Sequence, residues 1–491
     1  MSEAFFVEVP PLETLEKRLR LAEADGAGGG EVPIDLFLVE SVDQLSVAFP
    51  GQEDAIQAWA AAQGFSAKTG QALFWPGPDG RIAAAFIGCP VDPATGQATP
   101  GFGLGALPAL LPEGQYHLRT RLADAETALT AFLLGGYRFS LPAKTPNAGV
   151  VLLTDEAARA AAISSARAVT FARDLINTPA NLLGPEAMAR SADALASQFG
   201  ASFSVIEGEG LLDPANPFPL VYTVGAAARD APRLIEMKWR GTAAKDDAAR
   251  IVLVGKGVSF DTGGLNLKPG NAMNLMKKDM GGAAAVLGLA MMIMQADLPI
   301  ALRVLVPAVE NSISSPAFRP SDVLTSRKGL TVEIGNTDAE GRLILADALS
   351  LADEESPELL IDMATLTGAA RVALGPQLPP FFTDDEDLAS ELSRAAYDVD
   401  DPVWRLPLWP GYESAINGKV GDISNTGNMP FAGAITAALF LKRFVEKAKS
   451  WVHFDIYGWT PSTRPGRPEG GEAQAIRALF NLLSQRYPPA G

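Results

Sequence analysis

The sequence predicts an α/β fold with a small N-terminal domain and a larger C-terminal domain. In the larger domain we expect a mostly parallel central sheet covered by helices on both faces. Three observations support this. The chain has 491 residues, more than one hydrophobic core usually serves. Short strand patterns alternate with longer helical patterns along the chain. The run at 251–254 is apolar at every position, which is typical of a strand buried on both faces.

Residues 1–154 are predicted to form the small α/β domain. Strand patterns cover 34–39 and 81–88, and helical patterns cover 53–63 and 123–134. The glycine-rich run 26–30 is predicted to be a surface loop. No cluster of residues that suggests a site occurs in this part of the chain, and we interpret His117 as a structural or surface histidine.

Residues 155–180 are interpreted as a linker helix, because an alanine-rich helical pattern ends there at Asn177-Thr178-Pro179. Residues 181–491 then form the larger domain. Regular alternation of strands with helices or glycine loops implies the parallel sheet, with strands predicted at 251–254, 303–306, 331–334 and 359–363. The uncharged run 281–296 is too short to span a bilayer, and we predict a buried helix.

Composition limits the kinds of partner. The net charge of −17 arises from 40 Lys and Arg against 57 Asp and Glu, and it opposes binding to nucleic acid or to an anionic membrane. Cys89 is the only cysteine, so neither a disulfide nor a thiolate metal site forms within one chain. The N-terminus lacks the basic region of a signal peptide. We therefore expect a cytoplasmic protein.

The run from Asn336 to Leu343 lies between a strand pattern and a helical pattern and carries Asp338 and Glu340. Two carboxylates two residues apart point the same way on an extended backbone, and this spacing suits ligands of a metal pair ~3.5–4 Å apart. Gly341 would let the backbone pass close beneath such a site, and Arg342 adds a permanent cation. On these residues alone, a simple strand-to-helix turn capped by the two acids is an equal alternative.

A second group of candidate residues follows the strand at 251–254. It comprises Lys256, Asp261, Lys268 and Asp279, the last within the run 276–282. In α/β sheets, sites form just beyond the carboxyl ends of strands, and both groups lie at such ends. Taken singly, Lys256 is typical of an ordinary surface lysine at the end of a strand, and Asp261 is typical of an ordinary aspartate in a turn. The sequence contains neither a nucleophile elbow nor a P-loop.

Together the two groups resemble the leucyl aminopeptidase (cytosol aminopeptidase) family, from about residue 166 to the C-terminus, with the run 336–343 as the most specific part. The resemblance implies two divalent ions per subunit, Zn²⁺ or Mn²⁺. Asp261 and Glu340 would bridge them, Asp338 would serve one, and Lys256 and Asp279 would serve the other. Four carboxylates would then balance the charge of two dications.

The resemblance also implies hydrolysis of N-terminal amino acids from peptides with a free N-terminus, by metal-activated water, in a homohexamer. Lys268 and Arg342 would be catalytic, and Arg342 would hold bicarbonate. The N-terminal domain would serve oligomerisation or regulation. The pocket for the N-terminal side chain would be formed by Met276, Asn336, Thr365, Leu366, Gly368 and Tyr457.

Two questions stay open at this stage. Tyr457 stands where relatives carry alanine, so the preference for leucine is uncertain. The chain could also be a catalytically silent family member that acts as a scaffold or binding protein, or, with less support, a two-metal phosphoesterase. His453 lies in an apolar strand pattern, and we interpret it as a core residue.

Overall fold

The computed structural model describes residues 5–22, 32–141, 149–155 and 157–489 and has an α/β architecture. The chain divides into two compact units. The smaller comprises Pro10–Thr170 and Ser462–Glu469, and the larger comprises Met1–Val9, Phe171–Pro461 and Gly470–Gly491. A single helix, Arg159–Asn177, occupies most of the predicted linker. The glycine-rich run 26–30 lies outside the described residues.

The smaller unit is built on a six-stranded sheet. In chain order its strands are β1 (Leu19–Leu21), β2 (Ile34–Val39), β3 (Ala72–Pro76), β4 (Ile82–Gly88), β5 (Gly114–Leu118) and β6 (Val150–Thr154). Its helices are α1 (Leu12–Glu16), α2 (Leu45–Ala48), α3 (Glu53–Ala62), α4 (Leu107–Leu110) and α5 (Ala125–Gly135). The spatial order is β1-β6-β5-β2-β4-β3, and only the β3–β4 pair is antiparallel.

All four elements predicted for this unit are present, within two residues at each end. The helix α5 begins where it does because the Asp124 carboxylate accepts a hydrogen bond from the Thr127 backbone N–H at 3.1 Å. Every residue from Thr127 to Leu134 is buried, so α5 is held mainly by its apolar contacts.

The larger unit contains the remaining elements. Its helices are α6 (Arg159–Asn177, shared between the units), α7 (Pro185–Gln198), α8 (Pro219–Gly225), α9 (Gly281–Gln295), α10 (Gly341–Glu354), α11 (Gly368–Leu374), α12 (Glu386–Asp398), α13 (Gly433–Lys442) and α14 (Ile476–Arg486). Its strands are β7 (Ser202–Glu207), β8 (Arg233–Arg240), β9 (Arg250–Gly255), β10 (Gly257–Asp261), β11 (Ala301–Asn311), β12 (Val323–Thr325), β13 (Thr331–Glu333), β14 (Leu359–Ala364), β15 (Pro380–Phe382), β16 (Trp404–Arg405), β17 (Ile423–Ser424), β18 (Trp451–Asp455), β19 (Trp459–Thr460) and β20 (Gly470–Gly471).

A nine-stranded sheet forms the centre of this unit. Its order is β16-β15-β18-β14-β9-β11-β8-β7, and β10 pairs with β11 beyond the end of β9. The four central strands are parallel, while β15 and β8 run antiparallel to their inner neighbours. Successive side chains of a strand point to opposite faces, and all six residues of β14 are buried. Both faces of the sheet are therefore covered, and the predicted fold class is confirmed.

One predicted strand belongs to a different sheet from the one expected. Residues 331–334 do not join the central sheet, because β13 pairs with β12 and β17 in a separate three-stranded sheet. A tight turn at Gly329, with φ of 90°, folds β13 directly back on β12, and the distant strand β17 pairs with its other edge. The sequence pattern therefore predicted the strand correctly but placed it in the wrong sheet.

The uncharged run at 281–296 forms the helix α9, and its residues 281–294 are all buried as predicted. Across the described residues, the structure contains no helix long and apolar enough to cross a membrane.

Candidate metal centre and active site

The candidate residues meet at one edge of the central sheet. Lys256 connects β9 to β10, Asn311 ends β11, Thr365 follows β14, and Asp455 ends β18. These strands are parallel and adjacent, so their carboxyl ends open onto the same space. The backbone N–H of Lys256 also donates to Met363 O at 3.0 Å, which fixes the lysine against β14. Lys256 thus follows a strand of the central sheet as predicted, whereas the run 336–343 follows β13 of the separate three-stranded sheet.

Lys256 joins two of the predicted carboxylates. Its Nζ lies 2.6 Å from Asp279 Oδ2 and 2.9 Å from Glu340 Oε1, and it also donates to Thr365 O at 3.2 Å. Burial favours the neutral amine, but Asp279 and Glu340 outweigh that effect and raise the pKa of Lys256 above its usual value. The ammonium therefore pairs with both Asp279 and Glu340.

Lys268 pairs with the other two predicted carboxylates. Its Nζ lies 2.7 Å from Asp261 Oδ2 and 2.6 Å from Asp338 Oδ1. Burial again opposes the charge, and Asp261 overcomes it, so the pKa of Lys268 is raised. The side chain of Lys268 is 13% exposed, compared with 4% for Lys256. Of the two side chains, that of Lys268 is the more accessible from solvent.

The carboxylates themselves form a group that fits divalent ions. One oxygen each from Asp261, Asp338 and Glu340 lie within 4.8 Å of one another. Burial, followed by the charge of Asp261, raises the pKa of Glu340 to about 8 and also raises that of Asp338. The buried Oε2 of Glu340 has no hydrogen-bond partner among the described residues. An unpaired buried carboxylate oxygen is costly unless a cation binds it, and oxygen-rich groups suit hard divalent ions.

The sequence analysis assumed an extended backbone between Asn336 and Gly341, and the structure differs. This segment forms a turn, and Glu340 already has helical dihedral angles of −74° and −35°. The two carboxylates converge because the turn directs them, and neither caps α10 through its side chain. A Cβ on Gly341 would lie 2.6 Å from Lys256 Cε, so the predicted close approach of the backbone is present.

Asparagines from other parts of the chain hold this turn and its neighbour. Asn425 accepts from Gly335 N at 2.7 Å and donates to Asn336 O at 2.7 Å, and Asn336 Oδ1 accepts from Asp338 N at 2.8 Å. Asn311 donates to Asp261 Oδ1 at 2.8 Å. The sequence analysis gave neither Asn425 nor Asn311 a role, since no local pattern connects them to the acids they orient.

Comparison with known proteins identifies the chain. The family model described as "Cytosol aminopeptidase family, catalytic domain" matches residues 170–480, and the model described as "M17 aminopeptidase, N-terminal domain" matches residues 32–153. The chain belongs to the cytosol aminopeptidase family. A probable cytosol aminopeptidase of Syntrophotalea carbinolica is 41% identical over 403 residues, 78% of each chain. One of Xanthomonas oryzae pv. oryzae is 42% identical over 413 residues, 82% of each chain.

Solved structures agree with this assignment. The crystal structure of a cytosol aminopeptidase from Coxiella burnetii matches with a TM-score of 0.86 at 42% identity, over 94% of this chain and 98% of that one. The bottromycin maturation enzyme BotP in complex with Mn matches with a TM-score of 0.82 at 32% identity, over 93% and 100%. As a cytosol aminopeptidase family member, the protein is a metal-dependent aminopeptidase, a hydrolase whose substrates are peptides.

Arg342 lies in the first turn of α10, almost fully buried. Its Nη1 donates to Asn425 O at 2.6 Å, and its guanidinium carbon lies 5.9 Å from the centre of the Phe440 ring. Burial lowers the pKa of Arg342 to about 10, and the charges of Glu340 and Asp455 oppose this shift. The buried Nε of Arg342 has no hydrogen-bond partner among the described residues, so this N–H group is available to an anion.

The residues predicted to line the substrate pocket have different surroundings. Thr365 is buried and donates to Asp279 Oδ1 at 2.7 Å, so it orients that carboxylate. The backbone N–H of Leu366 donates to Asp455 Oδ1 at 3.0 Å. Gly368 is exposed at the start of α11, and Met276 and Asn336 are half-buried. Tyr457 is half-buried, and two cations from other segments lie against its ring.

Neither histidine belongs to the site. His453 is fully buried, as predicted, and its Nδ1 lies 2.6 Å from Asp362 Oδ1 on the neighbouring strand. The Trp451 indole donates to the other oxygen of the same carboxylate at 2.8 Å. His117 lies on β5 in the smaller unit with 16% of its side chain exposed, which agrees with the structural interpretation.

Proposed function

We propose that this protein removes N-terminal residues from peptides by a mechanism that uses two divalent ions. One observation carries the proposal: Lys256, Asp261, Asp279, Asp338 and Glu340 converge at the carboxyl edge of the central sheet. By family resemblance, Asp261 and Glu340 would hold both ions. Asp338 would serve one of them, and Lys256 and Asp279 would serve the other.

The donor set favours Zn²⁺ or Mn²⁺. Four carboxylates would accept Mn²⁺ or Mg²⁺, whereas the amine of Lys256 shifts the preference toward Zn²⁺. A relative has been solved with Mn, which supports that ion as the alternative. When bound, such a pair supplies a nucleophilic hydroxide near neutral pH and a Lewis acid for the scissile carbonyl.

The chain's own residues would do the rest of the chemistry. The side chain of Lys268 is more exposed than that of Lys256, and we assign its ammonium the stabilisation of the negative oxygen that develops on the carbonyl. Arg342 would bind bicarbonate through its unpaired Nε–H, and the anion would accept the proton of the attacking water. Asn311 and Thr365 keep the carboxylates of Asp261 and Asp279 in place.

A pocket for the N-terminal side chain would lie beside Asp279. We keep the set inferred from the family, namely Met276, Asn336, Thr365, Leu366, Gly368 and Tyr457. Of these, Thr365 contacts Asp279 directly. The substrate's free amine would approach the same place, which would restrict hydrolysis to the first residue of a peptide.

The wider organisation also follows from the family. We propose a homohexamer in the cytoplasm, with residues 1–154 serving oligomerisation or regulation, residues 155–180 as the linker, and residues 181–491 as the catalytic domain. The single cysteine agrees with a reducing compartment. A silent scaffold is the alternative, and the presence of all five ligand residues with Lys268 and Arg342 argues against it.

The test is hydrolysis of leucyl- and alanyl-p-nitroanilide by the full chain. We expect no turnover after chelation and recovery when Mn²⁺ or Zn²⁺ is returned, with no action on N-acetylated substrates. Asp338→Asn should abolish the recovery. Asp54→Asn, which changes an exposed aspartate on α3, is the matched control and should behave like the wild type.

Two outcomes would contradict the proposal. A protein confirmed to be free of metal that keeps its full turnover would exclude the two-metal mechanism. A protein loaded with metal that hydrolyses no aminoacyl or dipeptide substrate would favour the silent scaffold.

A further inference from the structure

A buried lysine beside the site has no anionic partner. Lys278 immediately precedes Asp279, and only 4% of its surface is exposed. Its ammonium lies 4.9 Å from the centre of the Tyr457 ring. Among the described residues, no carboxylate oxygen forms an ion pair with it, although every other buried lysine or arginine of the site has a hydrogen-bond or ion-pair partner. A buried cation without a counter-ion is costly, so its retention calls for an explanation.

A second cation lies against the same ring. The guanidinium carbon of Arg371, on α11, is 4.4 Å from the centre of the Tyr457 ring. An aromatic face attracts cations through its quadrupole, which offsets only part of the cost of bringing two positive charges together. Tyr457 and Arg371 also line one cleft together with Asp455, Thr367 and Gln474. Two cations, Lys278 and Arg371, therefore lie against Tyr457, and the Asp455 carboxyl group lies nearby.

The nearby negative charges are already engaged. Burial lowers the pKa of Lys278 to about 8, and Asp279 and Asp455 are the carboxylates that oppose this shift. Asp279 contacts the Lys256 ammonium at 2.6 Å and accepts from Thr365 Oγ1 at 2.7 Å. Asp455 accepts from the backbone N–H of Leu366 and from Thr367 Oγ1, at 3.0 and 2.6 Å. Neither carboxylate is left to pair with Lys278.

This cationic region adjoins the proposed metal centre. Lys278 directly precedes Asp279 in the chain, and the carboxylate of Asp279 would hold a metal ion. A Cβ placed on Gly458, the residue after Tyr457, would lie 3.2 Å from Thr365 Cγ2 and 3.7 Å from Lys278 O. Thr365 in turn holds Asp279. The side chain of a substrate's first residue, extending from the metal-bound end of the peptide, would therefore meet Lys278 and Tyr457.

We propose that Lys278, with Arg371 and Tyr457, makes this protein selective for peptides with an N-terminal glutamate or aspartate. The inference rests on the proposed function. A substrate carboxylate would give the buried ammonium the counter-ion it lacks, whereas a leucine side chain would leave it unpaired in an apolar contact. Tyr457 would set the position of both cations.

The experiment compares glutamyl-, glutaminyl- and leucyl-p-nitroanilide with the metal-loaded full chain. Glutamate and glutamine have nearly the same shape, so the ratio of their kcat/KM values isolates the effect of charge. We expect the wild type to favour the glutamyl substrate by about 10- to 100-fold, the range of a charge-assisted hydrogen bond. Lys278→Met should reduce this ratio at least about tenfold while retaining hydrolysis of the leucyl substrate.

Two further variants complete the test. Arg371→Gln changes an exposed residue on α11, and it should lower the ratio by a smaller factor. Lys277→Met is the matched control, because the ammonium of Lys277 donates to Asn177 O at 2.5 Å and does not lie against Tyr457. Its glutamyl-to-glutaminyl ratio should equal that of the wild type.

The outcomes separate this inference from the proposed function. A wild type that hydrolyses the leucyl substrate and discriminates against the glutamyl one overturns the acidic selectivity and leaves the aminopeptidase mechanism intact. An unchanged ratio in both Lys278→Met and Arg371→Gln also overturns it. A metal-loaded protein that acts on none of the three substrates overturns the proposed function and this inference with it.

Discussion

At the scale of single residues, the two lysines of the site differ in surroundings and therefore in use. Lys256 is enclosed between Asp279 and Glu340, whereas Lys268 contacts Asp261 and Asp338 and keeps part of its side chain exposed. A group that meets substrate must be reachable. This difference supports Lys256 as a proposed ligand and Lys268 as the proposed stabiliser of the reacting oxygen.

Lys268→Ala is expected to lower kcat by roughly 10²–10³, the usual loss for one oxyanion-stabilising group, with a small change in KM. Steady-state kinetics on a sample with measured metal content checks this. Lys447→Ala, which removes an exposed lysine, is the control. Unchanged kinetic constants in Lys268→Ala would remove Lys268 from the catalytic residues. Arg342→Ala should lose less activity, since buffer anions can partly replace a held bicarbonate.

The sequence revealed the acids and lysines of the site because each lies in a short run with a specific spacing. It did not reveal the groups that orient them. Asn311 and Asn425 reach the site from distant segments, and a single asparagine has no local signature. Lys278 was visible in the run 276–282, but only the fold shows that its ammonium is buried against Tyr457 without an anion.

At the scale of elements, the site depends on a close contact between α9 and β14. A Cβ on Gly282 would lie 2.0 Å from Met363 O and 2.9 Å from Lys256 N. The first turn of α9 also follows Asp279 and binds back to the lysine segment, since Ala283 N donates to Lys256 O at 2.9 Å. The helix thus fixes two proposed ligands, Lys256 and Asp279, at once.

Gly282→Ala should therefore separate α9 from β14, destabilise the larger unit by about 1–3 kcal/mol, and weaken metal binding. Thermal unfolding and metal titration of the variant measure the two effects. Gly103→Ala is the matched control, because a Cβ there meets nothing within 4 Å. A Gly282→Ala protein with wild-type stability and metal affinity would show that the contact relaxes without consequence.

Strands and helices were predictable because hydrophobic periodicity is a local property, and the central strands β9 and β14 follow it closely. Pairing was harder to predict. Residues 331–333 form a strand as expected, yet their partner is set by the turn at Gly329 and by β17, about 90 residues further along the chain. Periodicity carries no information about partners that lie so far apart.

At the scale of the whole molecule, the site adds to an already acidic chain. Four proposed carboxyl ligands lie together within a protein of net charge −17, and burial with the charge of Asp261 raises the pKa of Glu340 to about 8. Two dications would let all four ligands ionise and would balance their charge. Binding to the folded state alone therefore stabilises it.

Chelation should lower the thermal midpoint, and returning Zn²⁺ or Mn²⁺ should restore it. At a free metal concentration 100 times Kd, one site contributes about 2.7 kcal/mol, or ~3 °C for a chain of this length. Thermal unfolding with and without chelator measures the shift. Asp338→Asn should show a smaller shift. Equal midpoints for the metal-free and reloaded wild type would mean that the folded site does not bind these ions.

The pairing of each lysine with two carboxylates bears on the order of events during maturation. In a zinc finger, folding waits for the ion because nothing else holds the ligands together. Here ion pairs with Lys256 and Lys268 and hydrogen bonds from Asn311 and Thr365 also hold the proposed ligands, so we expect the chain to fold first and to receive metal afterwards. A cell short of metal would then accumulate folded, inactive protein. That store would become active as soon as the ions arrive, without new synthesis.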